Sequence, residues 1–261
     1  MLNATIAHRK LSDSFARPWL IECDDNNKYA VKFANEKNDN SIINEFVCAH
    51  LLKKLDLPIA SPELIQISQE LIEKTQDLRE RNIKPGIHFG LAYVDGSLNL
   101  SDQSIQKIPI EKIQNASQVP GMIAFDIFVC NIDRSTNNSL ITPIDDTKDK
   151  YRYVTIDHGH CFGGPSWNEP SIRNLPLQLG AIPWKKDLIR SVADITPYIN
   201  KLEGLSKTDF QHVVDGIPPE WNKKENEITA LVDVLEKRNE TSILNLLKDN
   251  KVQFPNWSRN D

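Results

Sequence analysis

Apolar and polar positions alternate through Tyr29-Ala30-Val31-Lys32-Phe33, and the same two-residue period precedes it in Trp19-Leu20-Ile21-Glu22. With the polar turn Asp24 to Asn27 between them, the two runs predict a hairpin over residues 19 to 33. In the return strand Tyr29, Val31 and Phe33 share one face, so Lys32 emerges from the other and is available to a ligand. The period then changes. Ile43, Val47, Leu51 and Leu55 recur at four-residue steps, and Ile42, Phe46 and Ala49 widen the stripe. They predict a helix over 41 to 55 with Glu45 at the edge of its apolar face. Pro58 and Pro62 close it. A short strand over 63 to 67, a charged helix over 70 to 81 and a third strand over 88 to 94 follow, ending at the turn Asp95-Gly96.

Downstream, Ser117 reads as an N-cap and Pro120 as a first-turn residue of a helix running to about Cys130. It is apolar on most sides through Met122, Ile123, Phe125, Ile127, Phe128 and Val129, which assigns it to a core. Residues 139 to 142 and 151 to 156 read as strands joined by the polar loop 143 to 150. That hairpin carries Asn138 at one end and Asp157 at the other. From about Ile172 the chain is proline-punctuated and mainly helical. The pattern as a whole predicts an α+β chain in two parts: a small β-rich lobe over 1–95 and a mainly helical lobe over 96–261.

Composition narrows the functional classes. A chain of 261 residues is long enough for a sizeable buried core, and its formal charge of -5 comes without a long basic block. No electrostatic footprint for direct nucleic-acid binding is present. No apolar run approaches the ~20 residues of a spanning helix, and the first residues lack a basic segment followed by an apolar one. The expectation is a cytoplasmic protein without a membrane partner. Cys23, Cys48, Cys130 and Cys161 are scattered without a Cys-x-x-Cys pair, which reads as reduced, buried thiols rather than a zinc knuckle.

The candidate chemistry lies in Asn131-Ile132-Asp133-Arg134-Ser135-Thr136-Asn137-Asn138 and in Val154-Thr155-Ile156-Asp157-His158-Gly159-His160. Phosphoryl transfer from ATP needs cations against the phosphate oxygens, a carboxylate beside the incoming hydroxyl, and fixed alignment. Asp133 would orient or deprotonate the acceptor. Asn138 and Asp157 offer oxygen ligands to Mg2+. Lys32 would hold the α- and β-phosphates, with Glu45 fixing its ammonium. Taken singly, Asp and Asn are ordinary turn formers, and a strand lysine or helix glutamate is usually a solvated charge. Their order along the chain is what carries the reading. Asp126, inside the apolar helix, needs a partner if buried, and Arg134 or backbone N–H groups of the next loop are the nearest. His158 and His160 lack the further ligands of a tetrahedral metal site and read as packing residues. The glycines at 159, 163 and 164 form no Walker sequence and read as turn residues.

At these residues the chain resembles the HipA-like kinases, in particular their short kinase domains. Asp133-Arg134…Asn138 and Asp157-x-Gly159-His160 also look like the phosphoinositide lipid kinases. The resemblance runs from about Pro18 to the C-terminal helices and includes Asn44-Glu45, Leu55-Asp56-Leu57-Pro58 and Ile217-Pro218-Pro219-Glu220-Trp221. It implies a bilobal protein-kinase-like fold, ATP binding by Lys32, catalysis by Asp133, and magnesium on Asn138 and Asp157. Tyr93 would lie in the hinge that meets adenine. Where protein kinases cover the nucleotide with glycines, this chain has Lys10-Leu11-Ser12-Asp13-Ser14-Phe15. Some HipA-like proteins are regulated by phosphorylation of a serine there, which makes Ser12 and Ser14 candidate sites. The implied activity is an ATP- and Mg-dependent phosphotransferase acting on Ser or Thr of a protein. The alternatives are a small-molecule or lipid acceptor, transfer of AMP, or a catalytically silent nucleotide-binding scaffold, which the missing glycines favour.

Overall fold

A computed structural model of the chain describes residues 1–12, 17–34, 40–145, 147, 149–182, 184–221, 223–238 and 243–258. In its N-terminal part β1 (Leu2–Lys10), β2 (Trp19–Cys23), β3 (Lys28–Lys32), β4 (Pro62–Ile67) and β5 (Gly86–Ala92) close a barrel in the order β1-β2-β3-β5-β4. The predicted hairpin is β2 and β3, paired Trp19 to Val31 through Glu22 to Lys28. Ile21, Val31, Ile65 and Ile67 fill the barrel at 0% exposure. The fit is tight enough that a Cβ on Gly90 would meet Ile65 Cδ1 at 2.4 Å. β1 has no counterpart among the predicted strands. None of its side chains is fully buried, so it lacks the apolar alternation that marks a strand, and it is held by antiparallel pairing to β2 and parallel pairing to β4.

α1 (Ser41–Lys54) sits where the four-residue period places it, but it is buried on every side from Ile42 to Ala49. Glu45 is thus 1% exposed rather than at the edge of a stripe. The predicted helix over 70–81 is two, α2 (Gln69–Lys74) and α3 (Gln76–Glu80). The break is Thr75, with φ -109° and ψ 103°, whose hydroxyl donates to Leu71 O at 2.9 Å.

The C-terminal part begins with β6 (Leu98–Asn99) and α4 (Val119–Phe128), followed by the hairpin β7 (Ser139–Pro143) and β8 (Tyr151–Thr155); the three strands form one sheet. α5 (Glu169–Arg173), α6 (Val192–Glu203), α7 (Lys207–Asp215), α8 (Glu225–Arg238) and α9 (Ile243–Asp249) complete it. The N-cap of α4 is Gln118 rather than Ser117, because the preceding residues 116–118 already turn as a short 3-10 helix. Ser117 instead gives its carbonyl to the Tyr198 hydroxyl at 2.8 Å. The architecture is α+β, with a β-rich N-terminal part and a helical C-terminal part.

Two apolar clusters hold the molecule. The smaller fills the barrel and continues under α2 and α3. The larger joins α1, with Phe89 and Leu91 of β5, to the helices of the C-terminal part. Polar ties run across the same junction. Trp221 Nε1 donates to Ile87 O at 2.7 Å, and Ile87 N donates to Glu220 Oε1 at 3.2 Å. Thr155 donates to Pro58 O through its N–H at 3.1 Å and its hydroxyl at 2.5 Å. No helix among the described residues is long and apolar enough to cross a membrane.

Candidate active site

A cleft of 1330 Å³ opens between the barrel and the β7–β8 hairpin, with Ala30, Leu91 and Tyr93 on one wall and Leu140, Ile156 and Asp157 on the other. It exceeds the ~300–1,000 Å³ of ordinary small-ligand sites and has room for a nucleotide and an acceptor group. Lys32 projects into it from β3, on the face opposite the buried Tyr29 and Val31, as strand alternation requires.

Lys32 Nζ donates to Glu45 Oε1 at 2.5 Å and to Asp157 Oδ1 at 2.7 Å. Two carboxylates therefore share one ammonium. Burial opposes the Lys32 charge, but Glu45 and Asp157 more than restore it and hold the ammonium above the usual lysine range. Burial pushes Glu45 up in spite of Lys32. Burial acts the same way on Asp157, yet there the Lys32 charge and hydrogen bond win and bring the carboxyl down to about 2. Among the described residues the second oxygen of Glu45 is buried without a hydrogen-bond partner. Asp157 has φ 59°, in the left-handed region that Asp and Asn tolerate better than most side chains. The chain turns sharply there as it leaves β8.

The loop before β7 is built from behind. Arg134 donates to Asp126 from Nε to Oδ2 and from Nη2 to Oδ1, both at 2.9 Å, and Asn131 Nδ2 donates to Asp126 Oδ1 at 2.9 Å. Arg134 Nη1 also donates to Asn138 O at 2.7 Å and Ile156 O at 3.0 Å. One guanidinium thus ties both ends of the hairpin to α4, and Arg134 is the partner expected for Asp126. Burial opposes the Arg134 charge, but Asp126 raises it above the ordinary arginine range. Arg134 Nη2 reaches His158 Nε2 at 2.9 Å, which makes that nitrogen the acceptor and the ring neutral. Burial, followed by the Arg134 charge, pushes His158 well below the ordinary histidine range.

Asn138 Nδ2 donates to Asp133 O at 2.7 Å and lies 3.4 Å from Asp133 Oδ2. Its amide oxygen is thereby left for another ligand. Ile156 N donates to Asn138 O at 3.1 Å, which sets Asn138 beside Asp157 on the cleft wall. Asp133 itself is exposed, on the loop at the Asn138 side. The structure therefore brings Lys32, Glu45 and Asp157 into direct contact, and Asp133 with Asn138 into a second contact on the adjoining loop. Asp157 and Asn138 supply hard oxygen donors of the kind magnesium takes from proteins, which need only one or two side chains when phosphate oxygens and waters complete the shell. Among the described residues no three His, Cys, Asp or Glu side chains group into a metal site.

Tyr93 follows β5 where the chain leaves the barrel for β6, and it lines the cleft. Its N–H is committed to Lys28 O at 2.8 Å. Ser12 also lines the cleft, while Ser14 lies outside the described residues. Gly159 does not turn the chain by a positive φ; a Cβ there would lie 3.2 Å from Ser41 Cβ and 3.4 Å from Glu45 Oε1, so the glycine allows the loop to press on α1. Gly163 and Gly164, with φ 85° and 107°, do turn it. Sequence reasoning gave no role to Asn44 or Asn131, because a polar residue on a helix or in a loop shows no period that separates a buried clamp from a solvated side chain.

The profile of the HipA-like kinase family matches residues 5–254. A search of curated protein sequences gave no match. Among solved structures, the proinflammatory kinase CtkA of Helicobacter pylori superposes with a TM-score of 0.60 at 14% identity, over 96% of this chain and 98% of that one. HipA of Shewanella oneidensis MR-1, solved with HipB and operator DNA, gives a TM-score of 0.49 at 12% identity over 94% of this chain and 68% of that one. The similarity to CtkA shows a kinase-like fold, and the family match spans both the barrel and the helical part; the chain belongs to the HipA-like kinase family and is a kinase.

Proposed function

We propose that the protein is an ATP- and Mg2+-dependent phosphotransferase of the cytoplasm that modifies Ser or Thr of a protein, with residues 1–95 as the nucleotide-binding lobe and 96–261 as the catalytic lobe. The observation that carries this reading is the contact of Lys32 with both Glu45 and Asp157 at a cleft that also holds Asn138. Lys32 binds the α- and β-phosphates, and Glu45 holds its ammonium in place. Asp157 and Asn138 would hold magnesium, which supplies neutralisation of the phosphate oxygens. Asp133 accepts the proton of the incoming hydroxyl from the exposed side of the loop, where a large acceptor has access. Tyr93 flanks the adenine end, through groups other than its committed N–H. Ser12 lies close enough to the cleft to be a site of modification, and we extend that role to Ser14.

Intact mass after incubation with ATP and magnesium, alone and with candidate acceptor proteins, tests the reaction. The parent gains phosphate or transfers it, and Asp133→Asn does neither while keeping its stabilisation by ATP in a thermal melt. A gain of AMP instead of phosphate redirects the chemistry. A parent that is not stabilised by millimolar ATP with magnesium refutes the nucleotide site. A small-molecule or lipid hydroxyl is the second reading, favoured by the volume of the cleft beyond what a nucleotide fills.

A further inference from the structure

Asn44 is 0% exposed in the first turn of α1, one residue before Glu45. A buried asparagine amide leaves two donors and two acceptor lone pairs to be satisfied, and each unmade bond is destabilising. Here the two N–H groups face three carbonyls, Gly159 O at 2.7 Å, Cys161 O at 2.9 Å and Gly164 O at 3.1 Å, with one hydrogen shared between two of them. The oxygen accepts from Trp167 Nε1 at 2.8 Å. All four partners belong to the segment that follows Asp157. Among the described residues no backbone pairing into a sheet holds this segment, and between Asp157 and α5 it is irregular. Further ties lead to the same end of the same helix: Asn40 N donates to Pro165 O at 2.6 Å, Asn40 Nδ2 donates to Trp167 O at 2.9 Å, and Gly159 packs on Ser41 and Glu45. Two more lead to the far side, from Phe162 N to Val129 O at 2.8 Å and from Arg134 Nη2 to His158 Nε2 at 2.9 Å.

The consequence is geometric. Asp157 stands at a left-handed turn between β8, which fixes it on one side, and a segment held on the other side by Arg134 at His158, by the Val129 carbonyl at Phe162, and by the Asn44 amide at Gly159, Cys161 and Gly164. The adjacent residue of that helix, Glu45, meets the same lysine as Asp157. One helical turn thus sets Lys32 through Glu45 and Asp157 through Asn44. We propose that Asn44 is a positioning residue that fixes the Asp157 carboxylate for divalent-cation binding, with Trp167 orienting the Asn44 amide. The inference rests on the kinase reading of Asp157, and it adds that the strength of the metal site is controlled from α1. Partners that orient metal ligands without touching the metal typically change affinity by about 10- to 100-fold when removed.

Two variants separate positioning from folding. Asn44→Ser removes most of the donors, and Trp167→Phe removes only the indole N–H while keeping a ring in the same place. For each, ATP affinity is measured by calorimetry with magnesium and again in EDTA, and hydrogen exchange of residues 157–167 is followed in the metal-free protein. The expected result is a loss of about 10-fold or more in affinity with magnesium for Asn44→Ser and a smaller loss for Trp167→Phe. Affinity in EDTA, which depends on Lys32, stays within about twofold. Amide protection falls in 157–167 and stays unchanged in the barrel. Unchanged magnesium-dependent affinity in both variants overturns the proposal, as does an equal loss with and without magnesium, which is the signature of general destabilisation. A parent that binds no ATP under either condition removes the kinase site and this role with it, and is recognised because the parent, rather than the variants, fails.

Discussion

Two charged clusters lie on either side of the β7–β8 hairpin, and they are built on opposite principles. Behind the hairpin Asp126 and Arg134 pair one to one, and Asn131, two backbone carbonyls and His158 take up the remaining polar atoms of the two groups. In front of it two carboxylates share a single ammonium, and one oxygen of Glu45 has no partner among the described residues. In the first cluster the two charges cancel and every polar atom of the ion pair itself is bonded, with His158 Nδ1 at its margin the one buried atom left without a partner among the described residues. The second sets two carboxyl groups against one ammonium at the wall of an open cleft, an arrangement that suits a cation better than a brace. Charge balance thus separates a cluster built to hold shape from one that, on the proposed function, meets the nucleotide and its cation.

Removing a carboxylate from each cluster breaks the comparison most directly. Asp126→Ala leaves Arg134 buried without its counter-ion, and the expected loss is about 3–5 kcal/mol of unfolding free energy in urea titration, with activity falling alongside. A loss below about 1 kcal/mol denies the rear network its structural role. Between these extremes lies a buried histidine that belongs to neither cluster. His88, 2% exposed, accepts from Ala34 N through Nδ1 at 3.0 Å and donates to Lys84 O through Nε2 at 3.0 Å. Burial pushes it down to about 4. Because the folded value lies below the unfolded one of about 6.5, the unfolded chain takes up the proton first as pH falls. Stability is then full above pH ~6.5 and declines toward pH ~4 by up to about 3 kcal/mol. His88→Gln should flatten that part of the pH profile, and an unchanged slope would exclude His88 as its source. The smallest effect on folding is expected in front. Asp157→Asn keeps a side chain that accepts the left-handed turn but gives up the charged bond to Lys32, so stability should fall by no more than about 2 kcal/mol while the magnesium-dependent thermal shift with ATP disappears. A large destabilisation would make the front cluster a brace like the rear one.

The sequence reveals the front cluster more fully than the rear one, for physical reasons. Lys32 is legible because a two-residue period puts it opposite Tyr29 and Val31, and Asn138 and Asp157 because they bracket two readable strands. Asp126 announces its need for a partner by sitting in an apolar helix. Its bond to Arg134 follows from that need, but the extension to His158 does not, since a histidine after a strand gives no sign of which nitrogen will face a guanidinium. β1 escapes the pattern because a strand that buries nothing fully has no alternation to show. The break at Thr75 escapes because Glu70 to Arg81 contains no glycine or proline, and a single extended residue within a charged run leaves no compositional trace. Asn44 escapes for a different reason: beside Glu45, Ser41 and Asn40 it reads as part of a polar helix start, and only the distant segment 159–167 explains why its amide is buried.

β5 belongs to both apolar clusters at once, with Gly90 closing over Ile65 inside the barrel and Phe89 and Leu91 reaching into the larger core, while Trp221 and Glu220 grip Ile87 from outside. A strand shared in this way cannot be peeled from one half without opening the other. The barrel and the helical part are therefore expected to unfold in one transition, with the passage of the chain at Tyr93 acting as a bend within a single folding body rather than a thread between two.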